Sequence, residues 1–367
     1  MRSRKIVFAG GGTAGHIQPA LAVARLWKQT FPHDQIVFLG TSSGLETKLV
    51  PEAGFTLELI TRVRVPRSLS PDLLKIPASL RRSVSESKKV LNGADLLIGF
   101  GGYVCASAYL AAASLKVPSV IHEANAKPGW ANRLGARYTE ALAVGSPVSH
   151  GPFANALITG LPLRDDIASV LDENYNADET VWRELRAKAK RDLGIASDNQ
   201  VILVFGGSQG SQAINNVIDE TRNRMKDRSV TFLHSVGAGN NLPVGDDKYL
   251  AFAYIENMAS AYLAADLVIS RSGAITCSEV RAIGKYALFI PLPIGNGEQS
   301  VNADHLVEMG RARVLNQESF TPAWLLDNMD SMLALSNQLG DLPDFSDVDA
   351  AAKIVALSEF KLSAGER

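Results

Sequence analysis

Short runs of apolar residues alternate with longer stretches of mixed polarity along most of the chain. The apolar runs cover residues 5–9, 35–39, 96–100, 119–122 and 141–144 in the first half and 201–205, 230–234, 250–253, 267–270 and 287–291 in the second. Runs that are apolar throughout are typical of strands covered on both faces in a parallel sheet, and the stretches between them are long enough for connecting helices. The pattern predicts an α/β fold with two doubly wound, Rossmann-like parallel sheets.

The alternation is interrupted between the two halves. The stretch that follows Pro162 is polar, heavily charged and poor in strand signals, and residues 182–193 are its clearest helix. We therefore expect two domains, residues 1–162 and residues 163–347. Helical periodicity returns near the end, and we expect a helix at about 348–367 that packs back on the first domain.

Composition narrows the class of protein. The 37 basic and 38 acidic residues give a net charge of -1, whereas a nucleic-acid-binding domain carries a basic excess, so we predict no nucleic-acid partner. Cys105 and Cys277 are far apart, which disfavours a disulfide scaffold and is typical of a cytosolic protein. We see no signal peptide before the first strand. The longest weakly polar run, residues 103–115, is shorter than the roughly 20 residues of a spanning helix, so we expect any membrane contact to be peripheral.

Glycine-rich turns follow the first predicted strand of each half. Residues 10–16 read Gly-Gly-Gly-Thr-Ala-Gly-His, residues 206–211 read Gly-Gly-Ser-Gln-Gly-Ser, and amphipathic stretches begin nearby at Pro19 and Ala213. Glycine lets the backbone approach an anion closely, and the free N–H groups at the start of a helix favour negative charge. The turns predict two phosphorylated ligands that face each other across a cleft between the domains.

The first turn also fits a dinucleotide site, because Gly10, Gly12 and Gly15 match the pattern G-x-G-x-x-G. A nicotinamide enzyme is expected to carry an acidic residue at the end of the second strand, where it holds the ribose. Residues 39–42, which end that strand here, include no carboxylate. The absence of a carboxylate at the end of the second strand therefore disfavours a nicotinamide site.

His16 follows the last glycine of the first turn, and its position allows two interpretations. It is either a histidine at a helix start that hydrogen-bonds locally or a general base. Imidazole titrates near neutral pH, and the positive end of a helix favours its neutral form, which can take a proton. Thr13 either caps the helix or donates to a phosphate, and both roles are compatible.

A further strand, small-residue turn and helix are indicated by residues 265–279. Ser272, Gly273 and Ala274 would expose N–H groups to a diphosphate. Glu279, about one turn into the helix, would accept hydrogen bonds from the paired hydroxyls of a ribose. The alternative is an ordinary first-turn glutamate that the helix dipole favours.

These turns belong to a series of blocks that resembles the MurG family of glycosyltransferases, in the family's order over nearly the whole chain. The blocks are residues 11–22, 99–103, 122–129, 160–164, 206–210, 270–279, 291–293, 298–299 and 302–303. The resemblance implies a GT-B architecture, with the donor held mainly by the second domain and the acceptor by the first. It also implies transfer of N-acetylglucosamine from UDP-N-acetylglucosamine to the undecaprenyl-diphosphate-linked muramyl pentapeptide, lipid I, which gives lipid II in peptidoglycan synthesis.

The resemblance also implies roles for individual residues, with His16 as the catalytic base. The positions that match donor-binding residues are Thr13, Ala14, Gly15, Asn125, Arg164, Ser208, Ile255, Ala274, Ile275, Thr276, Cys277, Ser278, Glu279 and Gln299, and those near the acceptor diphosphate are Gly12, Gly102 and Tyr103. The departures from the family pattern are local. Ala14 stands where many members have glycine, and Glu298 stands where some members have a glutamine beside the sugar contact.

A lipid-linked acceptor requires a surface that faces the membrane, and residues 61–90 fit this role. Eight basic residues in this segment, including Arg81 and Arg82, stand against two acidic ones and are interleaved with apolar residues such as Leu73 and Leu74. Basic residues around exposed apolar ones favour anionic lipid. A solvated loop followed by a core-facing helix is the alternative. We expect peripheral binding to anionic inner-leaflet phospholipid on the cytoplasmic face of the bacterial cell membrane.

The implied chemistry is an inverting displacement without a cofactor. His16 would take the proton of the acceptor hydroxyl while UDP leaves from the opposite face, and the N–H groups of the glycine turns would stabilise the diphosphate. No Asp-x-Asp motif of metal-dependent glycosyltransferases stands at a comparable strand end, so we expect no obligatory metal. Cell-wall biogenesis would link the protein to cell shape, cell division and the cell cycle, and to other cell-wall synthesis proteins.

Three rival functions are compatible with parts of this pattern. They are a GT-B glycosyltransferase with a different acceptor, a UDP-sugar epimerase and a binding protein without activity. The basic segment and the block at residues 122–129 disfavour the epimerase. An epimerase would convert UDP-N-acetylglucosamine alone, a transferase would release UDP in quantity only with an acceptor, and a binding protein would do neither.

Overall fold

The computed structural model divides into two compact units. Unit 1 comprises Met1–Arg164 together with Asp349–Arg367, and unit 2 comprises Asp165–Val348. The residues that the structure describes are 2–63, 76–225, 230–293 and 297–365. Which substrate each unit binds stays a prediction.

Unit 1 is built on a sheet of seven parallel strands, in the order β3-β2-β1-β4-β5-β6-β7. The strands are β1 (Lys5–Ala9), β2 (Gln35–Gly40), β3 (Thr56–Leu59), β4 (Leu96–Gly99), β5 (Ser119–Glu123), β6 (Leu142–Val144) and β7 (Leu157–Ile158). The apolar runs predicted all of them except β3 and β7. These two edge strands are mostly exposed, so they lack the continuous apolar run of a strand covered on both faces.

Helices cover both faces of this sheet. The helices of the first segment of unit 1 are α1 (Ala14–Thr30), α2 (Glu46–Glu52), α3 (Ile76–Leu91), α4 (Tyr103–Leu115) and α5 (Trp130–Gly135). Along β1, Ile6 and Phe8 join the core that α1 closes, whereas Val7 and Ala9 join the core that α4 closes. Two buried faces explain why β1 is apolar at successive positions, and they confirm the doubly wound fold.

Unit 2 has the same architecture, with six parallel strands in the order β10-β9-β8-β11-β12-β13. The strands are β8 (Gln200–Phe205), β9 (Val230–Ser235), β10 (Tyr249–Phe252), β11 (Leu267–Ser270), β12 (Ala287–Phe289) and β13 (Ala312–Val314). The helices are α6 (Asp165–Glu173), α7 (Glu179–Asp192), α8 (Gln212–Asn223), α9 (Met258–Ala264), α10 (Ala274–Ile283), α11 (Glu298–Asn302), α12 (Asp304–Glu308) and α13 (Pro322–Leu339). The helix predicted over residues 182–193 is therefore confirmed as α7.

The last helix, α14 (Ala350–Gly365), belongs to unit 1. Ile354 and Val355 are buried in the same core as Trp27 of α1. The carboxylate of Glu359 lies 3.0 Å from the guanidinium of Arg4. The C-terminal helix thus completes one helical layer of unit 1.

Each sheet reverses its strand order once, and the two glycine-rich turns lie at these reversal points. In unit 1 the order reverses between β1 and β4, and in unit 2 between β8 and β11. Residues 10–16 follow β1, and residues 206–211 follow β8. Doubly wound sheets bind ligands at such points, outside the carboxyl ends of the strands. The fold therefore gives each unit one candidate site.

Candidate functional site

His16 lies at the reversal point of unit 1, in the first turn of α1. The helix begins at Ala14, so the amphipathic stretch predicted from Pro19 lies inside it, and the carbonyl of Thr13 accepts the N–H of His16 at 3.2 Å. His16 Nδ1 lies 3.1 Å from the carbonyl oxygen of Gly11 and 3.2 Å from Thr13 Oγ1. Because a carbonyl oxygen can only accept, Nδ1 carries a proton and Nε2 is the basic nitrogen of the neutral ring.

Thr13 is the N-cap residue of α1, but its side chain does not cap the helix. Its hydroxyl contacts His16 Nδ1, and it makes no capping hydrogen bond. The predicted capping role is therefore wrong, because the hydroxyl is turned toward the imidazole. Thr13 is exposed, and Ala14 and Gly15 beside it are half-buried. Their contacts with a donor stay predictions.

The turn after β4 packs against the same imidazole. Gly101 and Gly102 have φ angles of +97° and +88°, which favour glycine. A Cβ atom on Gly102 would lie 2.6 Å from the carbonyl oxygen of Gly11, and one on Gly101 would lie 3.2 Å from His16 Nε2. Two glycine turns therefore converge on His16, and Tyr103, which begins α4, is exposed beside them.

A buried carboxylate stands behind the first glycine turn. Glu46, the first residue of α2, is fully buried, and its Oε1 accepts from the N–H and the hydroxyl of Thr41 at 2.9 and 3.1 Å. Its Oε2 accepts from the N–H of Gly12 at 3.0 Å. The Gly12 amide, predicted to face the acceptor diphosphate, therefore already has an acceptor. No local motif marks Glu46, because only the fold brings it to the turn.

A second buried carboxylate, Glu123, organises the loop after β5. Its Oε1 accepts from the backbone N–H and the side-chain amide of Asn125 at 2.9 and 3.1 Å. Its Oε2 accepts from the N–H of Gly129 at 2.9 Å and from Asn132 Nδ2 at 3.0 Å. Asn125, predicted to contact the donor sugar, is thus held in place by Glu123. Arg164, also predicted to approach the donor, is half-buried at the end of the first segment of unit 1.

In unit 2 a buried guanidinium stands behind the second glycine turn. Arg271, directly after β11, donates from Nη1 to the carbonyls of Ile290 and Pro291 at 2.9 and 3.1 Å. Its Nη2 donates to Ser211 Oγ at 2.8 Å and to Gln317 Oε1 at 2.6 Å. Burial lowers the pKa of Arg271 from its ordinary value. Sequence reasoning assigned Arg271 no role, although a charged residue at the end of an apolar strand is a signal that could have marked it.

The start of α10 offers backbone donors at this reversal point. Gly273 is its N-cap residue, and no side chain in the described part of the chain caps it. By contrast, Ser211 caps α8 by accepting the N–H of Ile214 at 3.4 Å. An uncapped helix start is the better anion site of the two. Residues 274–276, predicted to bind the diphosphate, form the first turn of α10.

Residues 277–279, the rest of the segment predicted to bind the diphosphate and ribose, lie deeper in unit 2. Cys277, Ser278 and Glu279 are all buried. Ser278 Oγ donates to Asp347 at 2.5 Å, and Glu279 Oε2 accepts from the hydroxyl of Tyr262 at 3.0 Å. Burial raises the pKa of the Cys277 thiol. The side chains of Cys277 and Ser278 therefore support the helix, and a ligand would reach these two residues through their backbone.

Gln299 and Ser208 belong to the same unit, Gln299 in the short helix α11 and Ser208 in a turn. Gln299 Oε1 accepts the N–H of Leu292 at 3.0 Å, and its carbonyl accepts Ser272 Oγ at 2.7 Å. The fold thus ties Gln299 to the turn before α10, while Ser208 is half-buried in the turn after β8 and Ile255 is buried beyond β10. Across the described ranges, no group of three or more His, Cys, Asp or Glu side chains is placed to hold a metal ion.

The described part of the proposed membrane segment, residues 61–90, is residues 61–63 and the helix α3. Arg81 and Arg82 are exposed on it, and Arg82 Nε donates to Glu86 Oε1 at 2.9 Å. The ion pair partly neutralises Arg82. Leu73 and Leu74, predicted to face the lipid, lie outside the described residues. Of the helices within the described ranges, none is both long and apolar enough to cross a membrane.

Comparison with known proteins gives consistent matches over both units. The Glycosyltransferase family 28 N-terminal domain matches residues 6–144, and the Glycosyltransferase family 28 C-terminal domain matches residues 201–354. The chain is 44% identical over 349 residues to the UDP-N-acetylglucosamine--N-acetylmuramyl-(pentapeptide) pyrophosphoryl-undecaprenol N-acetylglucosamine transferase of Mycolicibacterium vanbaalenii, over 90% of this chain and 84% of that protein. It is 41% identical to the Streptomyces coelicolor protein of the same name, over 92% of this chain and 91% of that one. Among solved structures, Acinetobacter baumannii MurG is similar with a TM-score of 0.69 and 25% identity, over 98% of this chain and 100% of that chain.

Proposed function

The chain belongs to the MurG family of glycosyltransferases, and we propose that it transfers N-acetylglucosamine from UDP-N-acetylglucosamine to lipid I, giving lipid II. Identity of 44% to a transferase of this name, over 90% of the chain, supports the activity. The two family 28 domains, which match most of the chain, support it as well. Relatives at this level of identity are named as transferases, which favours this reaction over an epimerase or a binding protein.

The orientation of His16 is the observation that best supports a mechanism. The carbonyl of Gly11 holds the proton on Nδ1, so Nε2 has the lone pair that a general base needs. In the proposed step, Nε2 takes the proton of the acceptor's sugar hydroxyl, and that oxygen bonds to the anomeric carbon of the donor. The bond from this carbon to the diphosphate oxygen breaks on the opposite face, and UDP leaves with the electron pair. The configuration at the anomeric carbon is therefore inverted.

Unit 2 would stabilise the charge that develops on UDP. The uncapped start of α10 provides N–H donors, and buried Arg271 holds the turns beside it. Pre-organised donors of this kind lower the barrier because they need no rearrangement as charge develops. We therefore propose that departure of UDP requires no metal and no cofactor.

A lipid-linked acceptor also requires access to a membrane. We propose that the basic surface of α3, with Arg81 exposed, contacts anionic phospholipid at the cytoplasmic face of the cell membrane. The enzyme would then be peripheral and work beside other cell-wall synthesis proteins. Because peptidoglycan defines cell shape and is made during division, loss of the activity would affect both.

The decisive test is UDP release with purified protein. We expect rapid release from UDP-N-acetylglucosamine only when a lipid I analogue is present. His16→Ala should lower kcat by about two to four powers of ten, because the proton acceptor is lost, and should leave the Kd for UDP unchanged. His33→Ala, an exposed histidine of the same unit, is the matched control. Turnover without acceptor would contradict the proposed reaction, and loss of UDP affinity in His16→Ala would contradict the base assignment.

A further inference from the structure

A pocket in unit 1 has no part in the mechanism above. It has a volume of about 410 Å³ and lies along α5 and the loop after β6. The residues that line it are Trp130, Arg133, Leu134, Ala136, Arg137 and Pro152. Its volume falls within the range of pockets that bind small ligands.

Two arginines give this pocket an unbalanced positive charge. Arg133 and Arg137 are exposed, and neither guanidinium has an ion pair or hydrogen bond with any other residue in the described ranges. The chain stays helical past the end of α5, with φ −61° and ψ −9° at Ala136. Arg133 and Arg137 are therefore one turn apart, on the face that also carries Trp130. Paired guanidiniums beside an indole suit a carboxylate attached to an apolar body.

The pocket is held rigidly at the carboxyl end of β5. Asn132 of α5 is buried, and its Nδ2 donates to Glu123 Oε2 at 3.0 Å and to the carbonyl of His122 at 3.2 Å. Its Oδ1 accepts from the hydroxyl of Tyr109 at 2.8 Å. Three satisfied hydrogen bonds on one buried amide fix the helix, so the pocket is formed before a ligand arrives.

Two exposed aromatic rings connect this pocket with the glycine turns around His16. The ring of Trp130 lies 5.9 Å from that of Tyr103, centroid to centroid. Tyr103 directly follows Gly102, which packs on the His16 turn. An acceptor whose sugar lies at His16 could therefore extend a substituent over Tyr103 and Trp130 toward Arg133.

We propose that the pocket binds the free carboxylate at the end of the acceptor's peptide. Arg133 and Arg137 would supply the cations, and Trp130 would contact the body of the peptide. The inference rests on the proposed function, because that function supplies an acceptor with a pentapeptide. The aromatic path from Tyr103 favours the peptide over the phosphate of a lipid head group, which would require no connection to the acceptor turn.

The test compares two soluble acceptor analogues without donor. Both are N-acetylmuramyl pentapeptide diphosphates on a short isoprenoid, one ending in a carboxylate and the other in a carboxamide. Wild-type protein should bind the carboxylate form about tenfold more tightly by calorimetry, since charge-assisted hydrogen bonds are lost with the amide. The double variant Arg133→Ala/Arg137→Ala should bind both forms equally. Lys127→Ala, which removes an exposed charge of the neighbouring loop that does not line the pocket, should keep the preference.

Equal binding of both analogues to wild-type protein would overturn the inference. So would a preference that survives in the double variant. If the double variant instead loses binding to phosphatidylglycerol vesicles while the preference persists, the arginines serve a lipid head group and the inference fails. UDP release is measured in parallel. A wild-type protein that prefers the carboxylate but releases no UDP would contradict the proposed function and still support the pocket's ligand.

Discussion

The reversal points of the two units have similar glycine turns but opposite buried charges. In unit 1 the carboxylate of Glu46 accepts the N–H of Gly12, one residue from the carbonyl that orients His16. In unit 2 the guanidinium of Arg271 donates to Ser211 in the second turn. A glycine turn therefore sets the shape of a site, whereas the buried charge behind it determines which charge the site favours.

The two charges fit the two halves of the proposed reaction. A positive charge and the uncapped start of α10 favour a diphosphate that gains charge as the sugar leaves. A negative charge beside the first turn favours His16 as an imidazolium ion after it has taken the proton. The comparison implies that Arg271 acts on the leaving group and Glu46 on the base, and this can be tested by changing each charge separately.

The largest effect is expected when Arg271 is replaced by methionine. The substitution leaves the acceptors at Ser211, Ile290 and Pro291 buried without their donor. We expect unit 2 to lose about 3–5 kcal/mol of stability and UDP to bind at least about tenfold more weakly. Hydrogen exchange with mass spectrometry reads unit 2 separately from unit 1, and calorimetry gives the Kd for UDP.

Two further variants separate the charge of Arg271 from its shape. Arg271→Lys keeps a positive charge but cannot span four acceptors, so it should recover UDP affinity more than stability. Arg313→Met removes an exposed arginine of the same unit and is the matched control. UDP affinity that is unchanged in Arg271→Met would show that the buried cation does not act on the diphosphate.

The two units also share a feature, a buried histidine in each, that predicts acid sensitivity. Burial lowers the pKa of His122 in unit 1 and of His234 in unit 2 to about 4, from an ordinary 6.5, with the charge of Arg222 adding to the effect on His234. Between these values the unfolded chain binds more protons than the folded one. The contribution of each histidine to the free energy of unfolding is therefore fully present above about pH 6.5. It falls by about 3 kcal/mol as the pH drops toward 4.

Hydrogen exchange at pH 7.5, 5.5 and 4.5 would test this acid sensitivity in each unit, after correction for the intrinsic exchange rate. His122→Gln should flatten the loss of protection in β5, and His234→Gln should flatten it in β9. His33→Gln, at an exposed position, should change neither. The ring of His234 has partners at both nitrogens, Tyr249 and Asn215. A pH dependence that neither substitution alters would show that other groups cause the acid loss.

Most of the fold could be predicted because a strand that is buried on both faces of its sheet is a continuous run of apolar residues, which the sequence displays directly. A strand such as β8 is apolar along nearly its whole length, so the apolar runs located the central strands. The exposed edge strands β3 and β7 have no such run.

The candidate site could be predicted only in part, because its supporting residues meet through the fold. His16 and the glycine turns lie in local motifs that a single sequence displays. Glu46 accepts the N–H of Gly12, 34 residues before it, and Asn132 accepts the hydroxyl of Tyr109, 23 residues before it. Both contacts depend on how the strands pair. The charge behind each turn therefore became apparent only in the structure. The roles of the substrate-binding residues stay predictions.

The smallest expected effect comes from Glu46→Gln, and it tests the less obvious half of the comparison. The amide keeps the size of the side chain, but its NH₂ group would face either Gly12 or Thr41, both of which donate. We expect kcat to fall about tenfold, equivalent to about 1.4 kcal/mol, with the Kd for UDP unchanged. Removal of the negative charge should also move the acidic limb of the pH–rate profile to lower pH, because imidazolium loses a stabilising neighbour.

Glu52→Gln, exposed on the same helix, is the control. A fall in kcat without movement of the acidic limb would mean that Glu46 only shapes the turn, and the opposite charges would then have no bearing on the base.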